Sequence, residues 1–263
     1  MENKEKKVIY YSRTYRHLKI NTAGSILYFC LLVLPVLILF IFNMNHITHF
    51  MSKCAVNVLG KLYPGIPLYI RKDNFSILGK MEFVELPTVY PSTAFCVINF
   101  IIVLLLVFFC CTGSRKGRPV SIYMTIMLVV HIINCIYFIF AANYFPYNAF
   151  QYSNLYIKQQ IGIWLTFIVM MGLVTAIQGS KALVWKILSF FSVLAYSFLF
   201  GFARYILFLY IIQEFSIIYM ALMFFAFGPF FDFLYLVGIY GFFMDKVIKF
   251  YESAKGKGAW RWS

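Results

Sequence analysis

Arg204 is the only basic side chain in an apolar run of more than fifty residues, roughly Ile187 to Phe243, which also holds Glu214 and Asp232. A charge at membrane depth costs about 2.5 to 3.5 kcal/mol on insertion scales, so it faces a protein interior or a water-filled cavity and marks a candidate functional site. Asp232 follows Gly228-Pro229. Proline removes a helical hydrogen bond and kinks a helix, and freed carbonyls next to a carboxylate suit an ion or a proton. The same charges equally suit an ion pair that fixes two helices, Arg204 with Glu214 or with Asp232. A thiol chemistry would instead draw on Cys96, His131 and Arg204, because a thiolate needs a base within hydrogen-bond reach. For His131 and the nearby Asn134 the bland role is a bond between helices. The sequence has no G-x-S-x-G, H-E-x-x-H or P-loop, which argues against a common hydrolase or a nucleotide-binding pump subunit. No cofactor motif is present. The four histidines are scattered, so no metal cluster is expected.

The elements that must position these residues are membrane helices. The 263 residues are 62% hydrophobic and 12% charged, with a mean hydropathy of +0.81. Stretches near 20 apolar residues match the hydrocarbon thickness. Six are expected: Ala23–Phe42, Ala94–Cys111, Val120–Ala142, Ile161–Ile177, Ile187–Ile212 and Phe215–Met244. Backbone groups in lipid must bond among themselves, so the spans are helices. The fold class is all-α membrane, a six-transmembrane-helix bundle with a small extracytoplasmic α+β cap. Residues 1–22 form a cytoplasmic N-terminal segment, 23–245 the membrane domain with its outer cap at 43–93, and 246–263 a cytoplasmic basic tail. Ala23–Phe42 is too long an apolar core for a cleavable signal and reads as a retained span.

Basic residues set the orientation. Sixteen lie before span one, between spans two and three, between spans four and five, and after span six; six lie on the other side. Both termini are therefore expected in the cytoplasm, with the protein in the plasma membrane. The net charge of +14 is a topology signal that anionic headgroups account for, and no nucleic-acid partner is expected. The lipid bilayer is the first partner. The six cysteines include no C-x-x-C pair, and only Cys54 and Cys96 lie near the outer face, which leaves a bond between them open.

The segment from Asn43 to Thr93 is the long outer excursion. Its first part repeats apolar residues at helical spacing from Ile47 to Leu62, an amphipathic helix lying in the headgroup plane or capping the bundle. Pro64-Gly65 stops it. Short alternating runs then predict an antiparallel sheet: Leu68–Ile70, a polar turn at Arg71–Asn74, Phe75–Leu78 and Met81–Leu86. The cap is a lid over helix ends or a docking surface for other envelope membrane proteins. The segment Asn143–Gln160, rich in Tyr, Asn and Gln, reads as an interfacial loop, and Trp260–Trp262 as an interfacial anchor. The Lys- and Tyr-rich style reads as bacterial, so the sequon at Asn74 carries little.

Trp185–Tyr251 resembles the second half of the exosortase/archaeosortase family of membrane transpeptidases. The resemblance rests on Gly201-Phe202-Ala203-Arg204, followed by an apolar run, where the family carries an arginine in the outer half of a helix. It implies that Phe224, four residues before Gly228, stands in the place of the family's histidine. It also implies that Gln159-Gln160-Ile161-Gly162 stands in the place of its cysteine. The thiol and the base are thus missing, and the implied function is a non-catalytic relative in envelope protein processing or export. Two alternatives stand beside it. One is a transporter or permease-type subunit with Arg204 and Asp232 lining a pathway. The other is an active cysteine transpeptidase using Cys96, although Val97-Ile98 follows it instead of Ser-Gly.

Overall fold

The computed structural model describes residues 16–18, 22–76, 78–112, 118–177, 182–226, 228–252 and 260–262. A strand β1 (Arg16–Leu18) precedes α1 (Thr22–Tyr28) and α2 (Leu34–Leu62). The hairpin β2 (Tyr69–Phe75) and β3 (Gly79–Glu85) follows, then α3 (Thr93–Thr112), α4 (Arg118–Ala141), α5 (Ala149–Ile177), α6 (Leu183–Glu214), α7 (Pro229–Glu252) and β4 (Trp260–Trp262). Six helical runs are long and apolar enough to cross a membrane. The chain has the build of a multi-pass membrane protein, an all-α bundle with a small two-stranded sheet in its cap.

Helices α1 and α2 form one run through a π turn at Phe29–Val33. Its cause is Pro35, in the first turn of α2. Proline has no N–H to give one turn back, and its ring pushes that carbonyl aside; a widened turn absorbs both effects. The centre of the bundle is α5, whose buried face runs from Ala149 to Ala176. Small residues let its neighbours close on it. A side chain added at Gly172 would stand 2.5 Å from Val33, so the π turn itself is pressed into α5.

The amphipathic segment is not a separate helix, and of the two expected placements it takes the one that caps the bundle. α2 continues unbroken through Asn43–His46, where Asn43 Nδ2 returns a hydrogen bond to Leu39 O at 2.8 Å. The 41-residue run Thr22–Leu62 is about 60 Å long at helical rise, about twice the hydrocarbon thickness. Its second half carries the cap. Met44, Thr48, Met51, Ser52, Ala55 and Leu59 form the buried stripe, which packs on β3.

The sheet also departs from expectation. Arg71–Asn74 is strand, with Asp73 opposite Met81 and Lys72 opposite Glu82; the turn falls at Ser76–Gly79, where Ser76 (φ 51°) and Gly79 (φ 144°) take left-handed conformations. The polar run is one exposed strand. β3 is buried from Met81 to Val84, and its second edge is closed by side chains. The Glu82 N–H donates to Thr48 Oγ1 at 3.0 Å, Ser52 Oγ donates to Glu82 O at 3.1 Å, and the Val84 N–H donates to Tyr205 OH at 2.9 Å. An edge left open invites another strand; this one is capped by α2 and α6. Burial pushes the Glu82 carboxyl up, but His49 and Lys72 outweigh it and hold it below the ordinary range.

Most of the stretch read as an interfacial loop is the start of α5. Asn148 and Gln151 form a reciprocal N-terminal cap, with the Gln151 N–H on Asn148 Oδ1 at 2.8 Å and the Asn148 N–H on Gln151 Oε1 at 3.0 Å, so the helix opens at Ala149. Trp260–Trp262, expected as an anchor, pairs antiparallel with Arg16–Leu18. All described cysteines are free; Cys96 lies beside Cys135 and not in a bond to Cys54.

The hairpin is tied to α5 by Asp73, which accepts from Lys158 Nζ at 2.7 Å and Asn154 Nδ2 at 2.8 Å. These bonds, Lys158 first, and the Asn74 N–H hold the Asp73 carboxyl down at about 2. A depressed acid contributes stability above its unfolded value and loses it as pH falls through the folded one. The tether should therefore weaken as pH drops from 3.8 to about 2. Amide protection factors in β2 and β3 should fall over that interval, and by less in Asp73→Asn; an equal fall in the variant would rule out the tether as its source.

Candidate functional site at the base of the cap

Arg204 lies ten residues before the end of α6 at Glu214, about 15 Å below that end at helical rise. Its neighbour Tyr205 bonds β3 through Val84, so Arg204 sits where the bundle meets the cap. The guanidinium does not snorkel: it is 4% exposed. Nε donates to Tyr156 OH at 2.7 Å. One terminal nitrogen donates to Gly228 O at 2.9 Å and to Asp232 Oδ2 at 3.0 Å. The other donates to Gln160 Oε1 at 2.7 Å. The rings of Tyr156 and Phe200 lie 5.5 Å from the guanidinium carbon, a distance for cation–π attraction.

Each partner is held in turn. The sixth span is not continuous: a 3-10 turn at Ile217–Tyr219 and a π turn at Leu222–Ala226 precede α7, which opens at Pro229. Proline suits a first helical position because its missing N–H has no partner there. Asp232 is in that first turn, where helix N-termini favour anions, and its N–H donates to Gly228 O at 3.2 Å. Tyr235 OH is the donor toward both Asp232 Oδ1 at 3.0 Å and Ser197 Oγ at 2.8 Å. Tyr156 OH donates in turn to Gly201 O at 3.1 Å. The helix break thus presents a carbonyl and a carboxylate, the ligands of a cation site, and the protein fills that position with its own guanidinium.

Beside the pair lies a cavity of about 440 Å³ between α6 and residues 219–231, walled by Phe200, Leu207, Phe208, Ile211, Leu222, Met223 and Phe231, with Arg204 and Tyr219 in its lining. Tyr219 connects it to a second group. The Tyr219 hydroxyl donates to Asn99 Oδ1 at 2.5 Å, and its ring stacks on His131 at 5.1 Å. Asn134 Nδ2 donates to Ile218 O. His131 is buried, and neither ring nitrogen meets a partner among the described residues. Cys96 is fully buried in α3 beside Cys135.

The expected residues therefore separate into three places. Arg204 and Asp232 form the buried pair. Glu214, a candidate partner for Arg204, is at the exposed end of α6 and accepts from Tyr63 OH at 2.6 Å. Cys96 and His131 belong to the α3–α4 side, and only Tyr219 of that group reaches the cavity. Among the described residues, no group of three metal-ligating side chains occurs. Tyr156, Gln160, Tyr235 and Ser197 were not anticipated. The signal for Tyr156 and Gln160 is Tyr152, Tyr156 and Gln160 at four-residue spacing, one polar face on one helix; Tyr235 and Ser197 carry none. No family model, curated protein or solved structure matches this chain.

Gly201 makes the geometry possible. A Cβ there would stand 2.5 Å from Gln160 Nε2 and 2.6 Å from its Cδ. Gly201→Ala should push the Gln160 amide off Arg204 and destabilise the fold by about 1 to 3 kcal/mol, the cost of overpacking. Thermal unfolding in detergent reads this; an unchanged midpoint would mean that Gln160 moves without loss.

Proposed function

We propose that this chain is a non-catalytic, exosortase/archaeosortase-like protein of the plasma membrane, with both termini in the cytoplasm, acting in envelope protein processing or export. One observation carries the reading. Gln160, within the stretch Gln159–Gly162 where the resemblance puts the family's thiol, is hydrogen-bonded to Arg204. An arginine that elsewhere would face a reacting group here holds a structural amide. Phe224, in the histidine's place, packs its ring on Tyr152 at 6.2 Å. No thiol or imidazole contacts Arg204 in the bonds above, and the carboxylate it pairs with is a positioning partner. On this reading the cap is the part that meets other envelope membrane proteins.

A transporter subunit is the second reading, favoured by the helix break at Gly228. Its weakness is physical. The carbonyl and carboxylate that would coordinate a travelling cation already bond Arg204, so passage requires the pair to open. An active site on Cys96 has less support, since that thiol is buried beside Cys135 and away from Arg204.

Two experiments separate these readings. Removing one member of a buried ion pair costs about 3 to 5 kcal/mol, whereas replacing both by apolar residues is often neutral. Arg204→Met should lose folded protein in size-exclusion and thermal-unfolding measurements, and Arg204→Met/Asp232→Leu should recover most of it. A single variant that stays folded but loses function would instead make Arg204 a functional group. Next, surface proteins of a deletion strain are profiled by mass spectrometry for altered processing. Complementation with Cys96→Ala should restore the profile fully; failure of that variant, with the protein present in the membrane, would establish thiol catalysis.

A further inference from the structure

The hairpin has two edges, and the bundle closes only one of them. Asp73 stands opposite Met81, Lys72 opposite Glu82 and Ile70 opposite Val84. In an antiparallel pair, alternate residues turn their backbone groups to the partner strand and the others turn them away. The N–H groups of Glu82 and Val84 leave the sheet for Thr48 and Tyr205. Lys72 and Ile70 therefore turn their own N–H and C=O to the outer side of β2. There these groups meet no partner among the described residues. The backbones of Arg71 and Asp73 bond inward to β3, and the Asp73 carboxylate is tied to α5. β2 is thus held extended with its free edge outward.

Charge decides what can pair with this edge. Asp73 and Lys158 cancel one another. Arg71, Lys72 and Lys80 remain, against Glu85 and a Glu82 carboxylate that is turned inward. The Lys72 side chain is 67% exposed and that of Glu82 only 5%. A second copy is a poor match. Antiparallel self-pairing of Ile70, Lys72 and Asn74 in full sets Lys72 against Lys72, and like charges directly opposite are destabilising. Lysine on an edge guards against such self-association, yet it attracts a strand of the opposite sign. We propose that the free edge of β2 docks an extended acidic segment of an envelope protein, which adds as a third strand. Backbone hydrogen bonds at Ile70 and Lys72 give the attachment, and a carboxylate opposite Lys72 gives the selectivity, as in strand addition generally. That the segment belongs to an envelope protein rests on the proposed function; the open edge does not.

Synthetic peptides added to the purified full chain in neutral detergent test the site, with residue-resolved amide exchange by NMR as the readout. A peptide of alternating valine and glutamate should bind and slow exchange at Ile70 and Lys72. Arg71 and Asp73, already bonded to β3, should change little. A peptide of alternating valine and lysine should bind about fivefold more weakly, the value of one cross-strand charge pair. N-methylation of the acidic peptide along its pairing side keeps its charge and should cost about tenfold, the value of two backbone hydrogen bonds. Lys72→Glu should reverse the preference between the acidic and basic peptides; the methylated peptide carries the test if that variant does not fold. Equal binding of the methylated and unmethylated peptides, or a preference of the natural chain for the basic one, would overturn the site. So would protection of Ile70 and Lys72 without peptide in a chain that elutes as a dimer, because a second copy would then be the occupant. The surface-protein profile of the deletion strain is a separate measurement. Its failure with peptide binding intact would strike the proposed function and leave the edge standing.

Discussion

A guanidinium and a carboxylate kept from water organise this protein. The Arg204–Asp232 pair joins α6 to a helix that starts in mid-bundle, and both groups are desolvated. Their attraction alone rarely repays that cost; the remaining donors and acceptors must also be met. Here they are, by Tyr156, Gln160, Gly228 O and Tyr235. The consequence is positional. α5 must present a tyrosine and a glutamine one turn apart, α6 must be bare at Gly201, and α7 must begin at Gly228–Pro229. Three helices are fixed in register by one side chain.

The cap depends on the same level of the molecule. Tyr205, next in sequence to Arg204, stacks on Tyr156 at 5.2 Å and receives the Val84 N–H, while Ser153 of α5 bonds the same hydroxyl at 2.7 Å. A two-stranded hairpin is marginal by itself in water. This one is held because Thr48 and Ser52 of α2 and Tyr205 of α6 meet its backbone, and Asn154 and Lys158 of α5 meet the Asp73 carboxylate. Bundle and cap are therefore one packed unit, with a continuous core from Met44 and Met81 to Trp164 and Tyr205.

The number of spans and the candidate charges could be read from hydropathy alone, because each is a property of a single segment. The partner of Arg204 could not. Asp232 is 28 residues away and Glu214 only ten, and the choice was made by the helix break and not by distance along the chain. Asn43 and His46 looked like a helix end because polarity marks where lipid stops; it does not mark where hydrogen bonding stops, and α2 runs on. The α5 start was hidden for the same reason, though Asn148 and Gln151 spell a cap. Arg71–Asn74 looked like a turn since its outward face is solvated, and the real turn used Ser76 and Gly79 backbone geometry. Gln160 lies in the stretch that the resemblance gives to a thiol; its bond to Arg204 follows only from the packing of α5 on α6.

The short sheet that joins Arg16–Leu18 to Trp260–Trp262 has an implication for biogenesis. Its strands flank all six apolar helical runs, so the first must wait until the last of these has been made. They can meet only if an even number of crossings separates them, because an odd count would leave a bilayer between the two. The pairing is in effect a parity check on insertion, satisfied after the last crossing and by no mis-threaded topology with a missing or surplus span.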